Sequence, residues 1–550
     1  MTTPLAAWLP PLPGGVAADK PALIDGGSGH TLSHGTLALR ASRVATWLCG
    51  LGLVPGDGIA MLLENRAELI ELALGAEWAG LYYTPIGTQL TPGEIGYLLR
   101  DCGARVFVAS QKMLDGPGAG LALPPGLTRV RIDGPPDGPL DDATDNVIDD
   151  AIDGWLSYEA ALATVPVNAL AAAWAQLAQR PLGRDLLYSS GTTGRPKGVK
   201  RPLPPRLPAG QVPPEIDSWR QLYGFGADTV YLSPAPLYHA APLRYTLRVI
   251  ALGGTAVVMP KFDAEQALAL IERHRVSHSQ WVPTMFGRML RLPEHVRTRH
   301  DLSSLRVAIH AAAPCPVEVK RAMLDWWGDV VHEYYAGSEG VGITVAGPQE
   351  WRARPGTVGR ALGCGVHIVG EDGAELPHGE IGAIYFSGMP GASYLNDPDK
   401  TRGLYNDRGW ATYGDIGHLD ADGYLFLSDR RADLILSGGV NVYPKEIEDA
   451  LAPHPDVDDV GVVGVPDADL GEVPKAVVRL RPGLVADAAR AEALLAYLQD
   501  RLGRIKMPRS VVFDADLPRM DNGKLLRRVI KERYRDRPAA GFALRSEREG

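Results

Sequence analysis

The stretch Thr255–Arg275, TAVVMPKFDAEQALALIERHR, sets the fold class. Its first five residues are a β-branched, apolar run of strand length. After a proline-marked turn, Asp263 stands three residues before Gln266 as an N-cap, and Ala267, Leu268, Leu270 and Ile271 form one apolar helix face. A strand followed by an amphipathic helix is the repeating unit of a layered α/β protein with a largely parallel sheet. Working outward, further strands are predicted at Gly58–Leu63, Arg105–Ala109, Thr229–Leu232, Leu305–Ile309 and Val330–His332. Segment 113–155, rich in Gly, Pro and Asp, reads as a surface excursion, and 202–214 as an extended proline-rich loop. Beyond Ser428–Asp433 the strands become short and closely spaced: Val460–Val465, Lys475–Leu480 and Ser510–Phe513, with a helix over Asp487–Arg501. This predicts a small α+β domain of about one hundred residues after a much larger one. Residues after Arg535 have little to bury and are expected to fray.

Composition narrows the function classes. With 550 residues, 45% hydrophobic and 22% charged, the chain is long enough for two cored domains. A net charge of −9 without any basic tract gives no reason to expect nucleic acid as a partner. Cys49, Cys102, Cys315 and Cys364 form no CxxC pair, so neither a disulfide framework nor a zinc site follows, and a reduced cytoplasmic location is expected. The start, MTTPLAAWLPPLPGG, lacks a basic region and is broken by proline, unlike a signal peptide. No apolar run reaches the roughly 20 residues of a membrane span.

The chemistry is concentrated in Leu186–Lys200, LLYSSGTTGRPKGVK. Ser189, Ser190, Thr192 and Thr193 offer hydroxyl donors, Gly191 and Gly194 let backbone N–H groups turn toward one anion, and Lys197 adds a positive charge. That set suits a polyphosphate. It is not a Walker A loop, since Gly-x4-Gly-Lys-Ser/Thr is absent; a polar surface turn is the plain alternative. The stretch resembles the signature loop of the adenylate-forming superfamily, which comprises acyl- and aryl-CoA ligases, firefly-type luciferases and peptide-synthetase adenylation domains. The resemblance extends in family order from about residue 20 to 535, and it implies a large N-terminal domain over 1–428, a hinge at 429–433, a small mobile C-terminal domain over 434–535 and a tail over 536–550.

On that resemblance several further residues acquire roles. HEYYAGSEG, His332–Gly340, resembles the family's aromatic-Gly-x-Thr-Glu segment: Tyr335 would stack on adenine, Ser338 would bond the α-phosphate, and Glu339 would hold Mg2+ through oxygen, as hard cations prefer. Ser338 stands where Thr is usual, and Ala336 where Gly is usual. AAAP, Ala311–Pro314, resembles the loop against adenine and brings in Ala313. YGDIGHL and SDRR resemble the two ribose stations, with Asp415 accepting from the ribose diol and Arg430 beside it. PRMDNGK resembles the catalytic-lysine loop, with Lys524 meeting the charge that builds between the substrate carboxylate and the α-phosphate. PLYH makes His239 a candidate gate of the acid pocket, although a structural histidine reads the same. LSGGVNVYPKE resembles the segment lying along pantetheine, placing Gly438 and Gly439 near coenzyme A. Ala432 departs from the Asp or Lys usual at the hinge.

The implied function is ATP- and Mg2+-dependent conversion of an aryl or medium-to-long acyl acid to acyl-AMP, with transfer to coenzyme A. The same machinery would also serve nitrite activation and diazotisation of an aromatic amine, amide formation or carrier-protein loading. Trp281, Met285 and Ala311–Ala313 read as apolar pocket wall or as plain core. The sequence leaves the oligomeric state open, a homodimer included.

Overall fold

The computed structural model describes residues 15–133, 154–189, 196–206, 214–430, 433–437, 440–467, 470–499, 501–502, 506–520, 523–535 and 541–543. It comprises two compact units. The first is Met1–Trp281, Leu292–Ile309 and Ala392–Thr401; the second is Val282–Arg291, His310–Gly391 and Arg402–Gly550.

The first unit is built on parallel strands, as expected from its strand–helix rhythm. Gly58–Leu62, buried at every position, lies between Tyr82–Pro85 and Ala104–Ser110, both parallel to it. A strand buried on both faces reads as a continuous apolar run, which is why it was legible. Thr128–Ile132 continues this sheet in parallel, so segment 113–155 is not wholly a surface excursion. Its alternating TRVRI, with Arg129 and Arg131 half-buried, lacks the apolar continuity of its neighbours. Residues 134–153 lie outside the described residues.

The other sheet of this unit carries Val230–Ser233, Thr255–Val258, His278–Trp281 and Val307–His310. Between the second and third runs the helix Ala264–His274. Asp263 caps it by accepting from the Gln266 N–H at 2.8 Å, and Ala267, Leu268, Leu270 and Ile271 are its buried face. The strand order is the important feature. Val230–Ser233 lies between Thr255–Val258 and His278–Trp281 and is parallel to both. The chain therefore moves one way to its second strand, then crosses back to the third. Loops leaving the carboxyl ends at such a reversal flank a crevice where α/β sheets bind ligands. The loop of this unit at that place is Pro234–His239, which follows Val230–Ser233.

The second unit has a different character, because its larger sheet is antiparallel. Val331–Ala336, Ile343–Ala346 and Thr357–Ala361 pair in turn, followed by Leu425–Arg430, Asp415–Leu419, Gly382–Ser387 and Gly365–Val369. The sequence predicted only the start of this sheet, at Val330–His332. The α+β region after Ser428 is present. Val457–Asp467 and Gly471–Leu480 form an antiparallel hairpin, and Ser510–Phe513 joins in parallel by way of the helix Ala488–Gln499. Ile447, Val462, Val478, Leu494 and Val511 fill one core between them. Phe542–Ala543 pairs with Ser510–Phe513, so the end of the chain is not all fray: Phe542 packs on Phe513. Among the described residues no helix is long and apolar enough to cross a membrane. All four cysteines are free thiols.

Candidate active site

In the first unit two of the phosphate-loop candidates, Ser189 and Lys197, lie on paired strands. Leu187–Ser189 pairs antiparallel with Lys197–Lys200, and Ser189 stands opposite Lys197. Ser190, Gly191, Thr192, Thr193 and Gly194 lie outside the described residues, as does the side chain of Ser189. The stems are anchored. The Tyr188 hydroxyl donates to Asp101 at 2.7 Å, and the Tyr97 hydroxyl to the Pro196 carbonyl at 3.3 Å. Burial, then the bond to Asp101, pushes the Tyr188 phenol far above its ordinary value, so it stays a donor. The Lys197 ammonium lies 5.0 Å from the centre of the Tyr394 ring.

His239 ends the loop after Val230–Ser233. Its backbone is extended and it stands at the N-cap position of the helix Ala240–Ala251 without a side-chain cap bond. Its ring is 4.7 Å from that of Tyr238. Trp281 is fully buried with its indole N–H on the Ser279 hydroxyl at 2.7 Å, and this favours core over open pocket wall.

In the second unit the geometry joins residues the sequence kept apart. Tyr335, on the strand Val331–Ala336, donates its hydroxyl to Asp415 Oδ2 at 2.5 Å. Asp415 is buried and stands directly opposite Arg430 across the strand ladder; the side chain of Arg430 lies outside the described residues. The Tyr413 ring packs edge-on to Tyr335 at 5.7 Å, and its hydroxyl bonds both the N–H and the carbonyl of Gly342, at 3.1 and 2.7 Å. That ring is also why residue 337 is glycine, since a Cβ there would lie 2.4 Å from Tyr413. Ser338 and Glu339 follow in the half-buried turn closed by the Gly340 N–H on the Gly337 carbonyl.

Beneath these strands sits an ion pair that sequence reasoning missed. Lys320, with no exposure, donates to Glu333 at 2.5 Å, and His310 Nε2 is 3.5 Å from the same carboxylate. Burial pushes the Glu333 carboxyl up, and Lys320 opposes the push. Burial, reinforced by Lys320 and His332, holds His310 neutral. His310 and Lys320 bracket Ala311–Pro314, in which Ala312 has φ 75°, a left-handed value that costs a non-glycine residue about 1 kcal/mol or more. Ala313 is half-buried in that loop.

Lys524 is half-buried at the foot of a tight hairpin. The Met520 N–H bonds the Lys524 carbonyl at 2.9 Å, and Gly523 has φ 80°. Arg519 forks onto Asp459 at 2.7 and 2.6 Å and donates to the Gly523 carbonyl at 2.7 Å. A Cβ at Gly523 would lie 2.6 Å from Thr284, so the turn sits directly on the helix Pro283–Leu290. Ala432, Gly438 and Gly439 lie outside the described residues. Among those described, no cluster of three or more His, Cys, Asp or Glu side chains is arranged to hold a metal ion.

Residues 15–393 match the family model described as AMP-binding enzyme, and 446–524 match the AMP-binding enzyme C-terminal domain. The chain belongs to the AMP-binding enzymes. It is an adenylate-forming ligase, with the large and small parts that the sequence implied. Its relatives include the long-chain-fatty-acid–CoA ligase FadD13 of Mycobacterium tuberculosis, 30% identical over 92% of this chain and 93% of that protein. A feruloyl-CoA synthase of Amycolatopsis is 32% identical over 92% of this chain and 94% of that protein. Among solved structures, ATP-bound MatB from Rhodopseudomonas palustris superposes with a TM-score of 0.76 at 29% identity, covering 97% of this chain and 98% of that one.

Proposed function

We propose that this AMP-binding enzyme uses MgATP to convert a small carboxylic acid, aryl or medium-to-long acyl, into an acyl-adenylate and then passes the acyl group to coenzyme A. The observation that carries the reading is the bond between Tyr335 and Asp415, with Arg430 opposite Asp415 in the ladder. An aromatic face beside a buried carboxylate suits a nucleoside, with the ring against the base and the carboxylate accepting from the ribose diol. The names of the relatives, a fatty-acid ligase and a feruloyl ligase, support the acid class and coenzyme A.

In the first step an oxygen of the substrate carboxylate bonds to the α-phosphorus, and the bond to pyrophosphate breaks. The hydroxyls and N–H groups of residues 189–194, with Lys197, hold the leaving pyrophosphate, and Ser338 bonds the α-phosphate. Glu339, half-buried in its turn, would hold a magnesium ion that comes with the nucleotide, because one carboxylate plus phosphate oxygens is the donor set such an ion takes, and the ion would neutralise phosphate charge there. Lys524 brings its ammonium to the charge that develops between the two reactants. His239 stands on the acid side. In the second step the thiol of coenzyme A attacks the acyl carbonyl, AMP leaves, and the thiol proton passes to solvent. For this the small domain, pivoting near residues 429–433, exchanges Lys524 for Gly438 and Gly439. The test is acid-dependent exchange of labelled pyrophosphate into ATP across a panel of acids, followed by product masses with coenzyme A or with an aromatic amine and nitrite. Acyl-CoA supports the proposal; a product formed only with the other nucleophile contradicts the acceptor, and no acid-dependent exchange contradicts the whole reading.

A further inference from the structure

Asn65 sits in the turn between the strand Gly58–Leu62 and the helix Ala67–Ala79, and it is only 5% exposed. Its amide is fully used. Nδ2 donates to the carbonyls of Ala235 at 3.1 Å and Met259 at 2.8 Å, while Oδ1 accepts from the Leu237 N–H at 2.7 Å. Two carbonyls on one side and an N–H on the other fix which end of the amide is nitrogen. Ala235 and Leu237 belong to the loop that leaves Val230–Ser233 and ends at Tyr238 and His239. Met259 is the first residue past Thr255–Val258. One side chain from the first parallel sheet therefore ties the carboxyl ends of two strands in the other, beside the point where strand order reverses.

In this loop Pro234 and Pro236 bring no N–H, and the His239 N–H bonds the Pro236 carbonyl at 3.2 Å. Asn65 itself is gripped on both sides. Glu64 accepts from the Ser110 hydroxyl at 2.6 Å, and Arg66 forks onto Glu68 at 2.8 Å through both nitrogens. A well-braced amide that bonds the loop through both its nitrogen and its oxygen is a geometry for placing what the loop carries.

We infer that Asn65 is a positioning residue that sets where Tyr238 and His239 stand at the acid pocket, and so sets the affinity for the acid and the preference among acids. The inference rests on the reading of His239 as the acid-side residue. Asn65→Ala leaves two carbonyls and one N–H without partners, and Asn65→Asp sets carboxylate oxygen against carbonyl oxygen.

The experiment measures acid-dependent pyrophosphate exchange for wild type, Asn65→Ala, Asn65→Asp and His239→Ala, with KM for acid and for ATP determined separately. Hydrogen exchange at residues 234–243 is followed alongside. The expected result for the Asn65 variants is a KM for acid raised about tenfold, an altered ranking of acids, a KM for ATP within twofold of wild type, and lost protection confined to 234–243. His239→Ala should alter the same acid constants. ATP and acid constants that move together would mark a merely structural residue and overturn the inference, as would unchanged acid constants. If the variants fail to fold, wild type still decides: a Leu237 amide exchanging as fast as open chain overturns the inference, and a protected one supports it. Wild type without acid-dependent exchange would instead sink the ligase reading itself, and His239→Ala without effect would remove the gate; either takes this inference with it.

Discussion

The two units place chemistry on backbone in opposite ways. In the first, Lys197 opens a strand of an antiparallel pair, and His239 stands on the loop beyond a parallel strand, where α/β sheets carry function. In the second, Tyr335, Asp415 and Arg430 stand on antiparallel strands, and the ladder sets Asp415 and Arg430 opposite each other at the ends of theirs. The first arrangement lets side chains change without loss of the sheet. The second couples the site to stability, because the strand that carries Tyr335 also carries Glu333, whose buried partner Lys320 lies on the helix Val317–Trp327.

That contrast can be broken or sharpened. The largest effect is expected at Lys320→Ala, which leaves Glu333 buried without its cation and should cost about 3–5 kcal/mol in chemical denaturation. Restoring a methylene stem with an apolar pair, Lys320→Met with Glu333→Leu, should recover much of it; a single variant as stable as wild type would show the pair to be unimportant. Next is Lys524→Ala. Its turn is held by Arg519, Asp459 and Gly523. Adenylate formation should slow by about 100- to 1000-fold, near 3–4 kcal/mol of barrier, with ATP affinity and melting temperature nearly unchanged. Equal turnover would show the lysine misassigned.

A third expectation concerns acid and the first unit. His278 is buried with Nδ1 beside the Ser277 hydroxyl and Nε2 on the Tyr223 carbonyl, and burial lowers its pKa to about 4. The unfolded value is about 6.5, so between about pH 4 and 6.5 the unfolded chain holds a proton the folded chain lacks. Stability therefore rises with pH through this window and falls as pH drops, by about 3 kcal/mol over its width for this group. Unfolding of wild type and His278→Gln, followed from pH 7 to 4, should diverge in slope; parallel curves would refute it. The smallest effect is Tyr335→Phe, which removes the donor to Asp415. About 2 kcal/mol is expected, divided between stability and KM for ATP, because the residue lies in a strand. A loss confined to one of the two would weaken the coupling argued above.

The legibility of the chain follows the same division. The helix capped by Asp263 and the strands Gly58–Leu62 and Thr255–Val258 were readable within a residue or two, since burial on both faces leaves an apolar run. Thr128–Ile132 was missed because Arg129 and Arg131 interrupt it. The antiparallel sheet was mostly invisible: Gly365–Val369 is half-buried over most of its length and carries His367. Asp415 and Arg430 were found through motifs, and the ladder then set them opposite each other. Lys320 with Glu333, and Asn65 with its three main-chain partners, left no sequence signal, because each depends on residues brought together only by packing.

The most direct test of the central claim labels the acid carboxylate with heavy oxygen and analyses AMP after one turnover with coenzyme A. Attack of that carboxylate on the α-phosphorus should leave one labelled oxygen in the AMP released. Label found instead in phosphate or pyrophosphate, with none in AMP, would contradict an acyl-adenylate and the site assignments that depend on it.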